Sequence, residues 1–117
     1  MVDCLFVYGT LRGAFDNPWA RKLREEAAFG GSATLRGSIF RIAHYPGFRH
    51  DPDGEVQGEL WRMTDPVATL AALDGYEGLQ YERVLVCVST GESAWIYRYA
   101  SQPDAATRIA SGDFCAP

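Results

Sequence analysis

The amino-acid sequence predicts an α+β domain: a small mixed, mostly antiparallel β-barrel or curled sheet flanked by short helices. Three observations lead there. The hydrophobic pattern passes through short strand-like runs and two helical runs in the order β, α, β, β, α, β, β. Only the first helix has the length of an ordinary parallel crossover, so most strands are expected to pair antiparallel. Gly37 and Gly58 interrupt strand-like runs, as sharply curved sheets allow.

Cys4 to Tyr8 is apolar and β-prone and stops at Gly9, which predicts a buried strand followed by a turn. Asn17-Pro18 supplies an N-cap and a first-turn proline. Trp19, Leu23 and Ala27 then recur every four residues, and the helix is expected to run until Gly30-Gly31. From Ser32 to Ile42, Ala33, Leu35, Gly37 and Ile39 alternate with Thr34, Arg36, Ser38 and Phe40, the period of one strand in which Gly37 marks a bend or a close approach. Two prolines and two glycines between His44 and Gly54 predict a loop. Val56 to Met63 alternates again. Asp65-Pro66 repeats the cap-then-proline signal before Val67, Leu70, Ala71 and Leu73, with Gly75 as the expected helix stop. Tyr81 to Ser89 and Ser93 to Tyr99 read as a hairpin joined by Thr90-Gly91-Glu92.

One hundred and seventeen residues suit a single domain spanning 1–117, and 47% apolar against 22% charged residues is the composition of a folding chain. A net charge of −4 without a basic run argues against a nucleic-acid partner. Apolar stretches of five residues cannot cross a bilayer, where a helix needs roughly 20, and no secretory leader precedes the first strand; a cytoplasmic location is expected. Cys4, Cys87 and Cys115 form no Cys-x-x-Cys pair and read as reduced packing residues.

Two segments carry possible chemistry. In Tyr8-Gly9-Thr10-Leu11 a strand ends in a glycine turn, whose successive N–H groups can form a concave anion site; plain turn chemistry accounts for the same residues. In Leu73-Asp74-Gly75-Tyr76-Glu77-Gly78 an acidic residue meets the negative end of a helix. Shielding from water would raise its pKa to suit a general base, whereas solvated turn carboxylates, with Arg83 in a surface ion pair, are the bland alternative. His44 and His50 lack metal-site spacing, no Gly-x-Ser-x-Gly elbow exists, and the strand cysteines are poorly placed for activation. Trp61, Trp95, Tyr97 and Tyr99 sit in alternating strands, where packing is their usual role.

Taken together, Tyr8-Gly9-Thr10-Leu11 and Leu73-Asp74-x-x-Glu77-Gly78 with Tyr81-x-Arg83 resemble the gamma-glutamylcyclotransferase-like family. Tyr45-Pro46-Gly47, Val56-x-Gly58-Glu59-Leu60 and Ser111-Gly112-Asp113 extend the resemblance over most of the chain. The short length resembles the compact bacterial and gamma-glutamylamine branch. The resemblance implies a mixed barrel with a cavity. It also implies a cofactor-free enzyme whose small-molecule gamma-glutamyl substrate, an amine or amide, cyclises to 5-oxoproline and releases the amine. Glu77 matches the acid/base glutamate, and Tyr8, Gly9, Thr10 and Leu11 match the turn that grips the glutamyl head. Tyr81 and Arg83 match a Tyr-x-Arg motif read as support at the cavity rim. The leaving amine is expected against the loop His44 to Gly54 and the segment Arg12 to Asn17.

The chemistry agrees with that implication. An α-amine attacking its own γ-carbonyl is an intramolecular nucleophile, so no Ser or Cys is required. The ammonium, with a pKa of about 8, needs a base better matched than a carboxylate at about 4.3. The rival reading is a non-catalytic module that binds a small carboxylate on the same fold. The two readings differ in whether Glu77 is shielded and shares a hollow with the Gly9 turn. The sequence leaves the oligomeric state and the identity of the amine open.

Overall fold

A computed structural model describes residues 2–117. In chain order the elements are β1 (Cys4–Val7), α1 (Pro18–Glu26), β2 (Ala27–Arg36), β3 (Ser38–Arg41), β4 (Pro46–Arg49), β5 (Glu55–Met63), α2 (Pro66–Glu77), β6 (Tyr81–Cys87) and β7 (Ser93–Tyr99). Single 3₁₀ turns occupy Gly78–Gln80 and Ala105–Thr107. Seven strands form one curled mixed sheet in the order β2-β5-β1-β7-β4-β3, with β6 paired to β7 off that path. The α+β fold expected, a curled mixed sheet flanked by two helices, is the fold observed, the sheet forming a half-barrel.

The sheet forks at β7. β6 follows one edge antiparallel from Tyr81↔Tyr99 to Cys87↔Ser93. The other edge is shared in succession by two parallel partners, β1 at Leu5↔Trp95 and β4 at Phe48↔Arg98. Where these diverge, the buried Tyr8 hydroxyl donates to the Tyr97 carbonyl at 2.6 Å and accepts from the Phe48 N–H at 3.0 Å. A side chain thus occupies the place of a missing ladder rung, which buried main-chain groups require.

All four residues of β1 are buried, as in a strand covered on both faces. Cys4 and Phe6 join Ile39, Phe48, Val56, Leu60 and Ile96 inside the curl, closed by Ile109 and Phe114 from the C-terminal segment. Leu5 and Val7 face the other way, onto Leu23 of α1 and Leu70 and Leu73 of α2. Both helices start as expected: Asn17 Oδ1 accepts from Ala20 N at 2.9 Å and Asp65 Oδ1 from Ala68 N at 3.3 Å, each followed by proline.

Four expectations need correction. α1 ends at Glu26, and Ala27 to Gly31 belong to β2, pairing with β5 from Ala27↔Met63 onward. Gly30-Gly31 is therefore a β-bulge: the register shifts between Phe29 and Gly31, and Gly31 has φ +106°. The single strand expected from Ser32 to Ile42 is broken at Gly37, where a Cβ would collide with the Phe48 ring. The expected loop His44–Gly54 contains β4, which pairs with β3 and β7 and buries Phe48. Finally, α2 runs through Gly75 to Glu77 and stops at Gly78, whose φ of +66° suits glycine. All three cysteines are free, but only Cys4 is buried; Cys87 and Cys115 are exposed.

Candidate active site

The phase of α2 places its last residue. Leu70, Leu73 and Glu77 follow one another at helical spacing, so the stripe that buries two leucines ends in a carboxylate on the same face. That face meets a cavity of about 320 Å³, at the small end of ordinary ligand pockets. Glu77 lines it together with Tyr8, Gly9, Thr10 and Leu11 of the turn after β1, and with Tyr81 at the start of β6. Its remaining walls are Phe6, Val7, His44, Tyr45, Pro46, Tyr76, Gln80 and Tyr97.

The turn is held from three directions. Arg12 N donates to Gly9 O at 3.1 Å, closing the turn, and Asn17 Nδ2 donates to Thr10 O at 2.8 Å. Arg12 Nη1 reaches Asp113 Oδ1 at 2.7 Å, and Glu59 Oε1 accepts from Gly13 N at 2.8 Å. The Gly58-Glu59 and Gly112-Asp113 motifs therefore fix the turn without lining the cavity. Gly9 is required by close approach: a Cβ would lie 2.7 Å from Pro46 Cγ. Among the described residues, the N–H groups of Gly9, Thr10 and Leu11 have no protein acceptor, and these three residues line the cavity.

The two acidic residues of the motif have opposite environments. Glu77 is half-buried and, among the described residues, has no cationic partner; removal from water pushes its pKa from 4.5 up to about 7. Its position at the helix C-terminus acts in the same direction. Asp74, one turn earlier, is also raised by burial. Hydrogen bonds from Arg83 and Tyr97, together with the Arg83 charge, outweigh that and hold it below the usual carboxylate value. Arg83 Nε and Nη2 grip Asp74 at 2.9 and 3.2 Å, and Tyr97 Oη donates to Asp74 Oδ1 at 2.7 Å. Divergent proton affinities in neighbouring carboxylates are the usual mark of a division between chemistry and support.

Arg83 therefore stands outside the cavity. Its guanidinium lies 4.3 Å from the Trp95 ring centroid and makes its hydrogen bonds to Asp74. Tyr81 lines the cavity and donates to Pro46 O at 2.7 Å, fixing β4 against β6. Burial pushes the phenols of Tyr8, Tyr81 and Tyr97 well above their ordinary value, so all three are neutral donors at physiological pH. His44, Tyr45 and Pro46 of the expected leaving-group loop do line the cavity. The segment Arg12 to Asn17 does not, because Arg12 is turned toward Asp113 and Glu59.

Sequence reasoning did not single out Tyr76 or Gln80. Both flank Glu77 in the chain, and Tyr76 was legible only as an aromatic one residue before the candidate base. Among the described residues no group of His, Cys, Asp and Glu is arranged to hold a metal ion, and no helix is long and apolar enough to cross a membrane.

Solved structures with this architecture cover nearly the whole chain. An uncharacterized protein from Pyrococcus horikoshii superposes with a TM-score of 0.78 at 26% identity, covering 99% of this chain and 92% of its own. Protein YtfP from Escherichia coli matches with a TM-score of 0.72 at 31% identity, over 95% of each chain. An AIG2-like protein from Mus musculus shares the fold, with a TM-score of 0.75 at 22% identity over 95% of this chain and 86% of its own. No curated protein matches. Residues 5–116 match the family described as gamma-glutamyl cyclotransferase, AIG2-like, and the chain belongs to that family.

Proposed function

We propose that the protein cyclises a gamma-glutamyl amine or amide to 5-oxoproline and releases the amine, with Glu77 as general base and then general acid. The observation that carries this reading is the half-buried, cation-free Glu77 carboxyl in the same cavity as the unpaired N–H groups of the Gly9 turn. A pKa of about 7 makes Glu77 a base matched to an α-ammonium. The α-nitrogen attacks the γ-carbonyl carbon, the new C–N bond closes the ring, and the original amide C–N bond breaks. Of the three ammonium protons, one stays on the lactam nitrogen and two end on the departing amine, so Glu77 finishes as it began. The donors of Gly9, Thr10 and Leu11 bind the substrate carboxylate or the developing oxyanion, the second role being worth about 10²- to 10³-fold per donor. Arg83 serves as a positioning residue through Asp74.

The purified protein is expected to release 5-oxoproline from one or more members of a panel of gamma-glutamyl amines, read by chromatography. Glu77→Gln is expected to abolish turnover while preserving the fold and ligand-induced thermal stabilisation. Turnover unchanged by that substitution removes Glu77 from the mechanism. Stabilisation by small carboxylates with no turnover of any panel member favours the non-catalytic binding module instead.

A further inference from the structure

Two contacts brace residues of the cavity wall on either side of Glu77, and neither includes Glu77 itself. One residue before it, the Tyr76 ring stacks on Trp19 of α1, with centroids 4.5 Å apart and planes at 25°. Three residues after it, Gln80 Oε1 accepts from Tyr45 Oη at 2.8 Å, joining the end of α2 to the turn between β3 and β4. The other cavity phenols are locked inside the walls, Tyr8 on main-chain groups of β7 and β4, Tyr81 on Pro46 O and Tyr97 on Asp74. Tyr76 and Gln80 are wall residues that are also exposed, so both contacts brace the solvent-facing part of the wall; Trp19, half-buried, stacks on Tyr76 without lining the cavity itself.

We propose that the Trp19–Tyr76 stack and the Tyr45–Gln80 hydrogen bond form a two-part clasp that closes the cavity over the Glu77 carboxyl. Trp19, Tyr45 and Gln80 are then positioning residues of the site. An exposed stack and a neutral hydrogen bond are individually weak, so either opens and recloses readily and lets small molecules pass. Each opening also admits water to a carboxyl whose high proton affinity comes chiefly from its removal from water. That makes the proton affinity of Glu77 the quantity the clasp controls. The groups facing it are Tyr8 from β1, His44 and Tyr45 from the β3–β4 turn, Tyr76 on its own helix, Tyr81 from β6 and Tyr97 from β7. Asp74 is engaged by Arg83 and Tyr97.

The inference builds on the role proposed for Glu77, but its test needs no substrate. The full-length protein is labelled with ¹³C at glutamate carboxyls, the Glu77 resonance is assigned with Glu77→Gln, and its midpoint is followed by NMR. Titrations are repeated in a His44→Gln background so that the imidazole does not enter. Trp19→Ala and Tyr45→Phe are each expected to weaken proton binding at Glu77 about threefold, and the pair about tenfold or more, by restoring water. Trp19→Phe, which keeps a ring over Tyr76, is expected to recover most of the effect. Leu85→Ala, on the exposed side of β6, is expected to leave the midpoint unchanged. A folded double variant with a wild-type midpoint overturns the clasp; if the double variant fails to fold, an unmoved midpoint in both single variants does the same. Wild-type protein that makes no 5-oxoproline, while the clasp variants still shift Glu77, overturns the catalytic reading and leaves the clasp standing.

Discussion

Glu77→Gln should make the protein more stable at neutral pH, and the gain should disappear in acid. The ordinary carboxyl value of 4.5 and the folded-state value of about 7 differ by enough for about 3 kcal/mol at 1.36 kcal/mol per tenfold, reduced to about 2 to 3 kcal/mol by residual water contact. Between those two pH values the native state holds a proton that the unfolded chain has released, so stability falls as pH rises. The contribution is fully present below pH 4.5 and lost above about pH 7. Glutamine resembles the protonated carboxyl and cannot titrate. Urea unfolding of both proteins at pH 4.5 and pH 8 reads the double difference. With a slope of about 1.5 kcal/mol/M, the midpoint of the variant relative to the wild type should rise by about 1.5 M between the two conditions. A midpoint difference that is the same at both pH values would falsify the claim that Glu77 is kept from water, and the general-base argument with it.

Other substitutions probe the scaffold. Gly9→Ala brings a Cβ within 2.7 Å of the stiff Pro46 ring and should cost about 1 to 3 kcal/mol in thermal melts, with a raised KM for any substrate found. Gly75→Ala is the opposite case: it lies within α2 with nothing within 4 Å of the added carbon, and should stabilise by about 1 kcal/mol. Tyr8→Phe leaves the Tyr97 carbonyl and the Phe48 N–H without their shared partner and should cost about 2 to 4 kcal/mol at every pH tested. Arg83→Met releases Asp74, whose folded-state value lies below 3.8. Because the Asp74 side chain is 42% exposed, the loss should be about 1 kcal/mol or less at pH 7, and it should vanish as the pH falls through that lowered value. Equal destabilisation at pH 7 and pH 2 would contradict that pairing.

The residues of the site that announce themselves in sequence are those whose neighbours along the chain explain them. Glu77 stands beside an expected helix end and Gly9 ends a wholly apolar strand, so both are visible as local anomalies, although the stripe that joins Glu77 to Leu70 and Leu73 appears only once α2 is seen to continue past Gly75. β4 is not visible in this way. Pro46 and Gly47 read as loop formers, yet proline is tolerated at the first position of a strand, and Gly47 is there because a Cβ would lie 2.8 Å from Tyr99 Cβ. The partners that make Pro46–Arg49 a strand lie in β3 and β7, the latter some 50 residues along the chain, as with Phe48↔Arg98. Gly30-Gly31 misled in the same way, since a bulge and a helix stop use the same residue. Tyr45 lies some 30 residues before Tyr76 and Gln80, and no periodicity within one segment foretells that its hydroxyl meets Gln80.

The fork at β7 sets an order on assembly. The Gly9 turn hangs from β1, the first strand made, yet β1 needs Trp95 beside Leu5, and the Tyr8 hydroxyl needs Tyr97. A nascent chain emerging from the ribosome cannot build the cavity until its last strand has appeared. Such long-range closure slows folding. The Gly9 turn, although carried by β1, is therefore among the last parts of the site to become rigid.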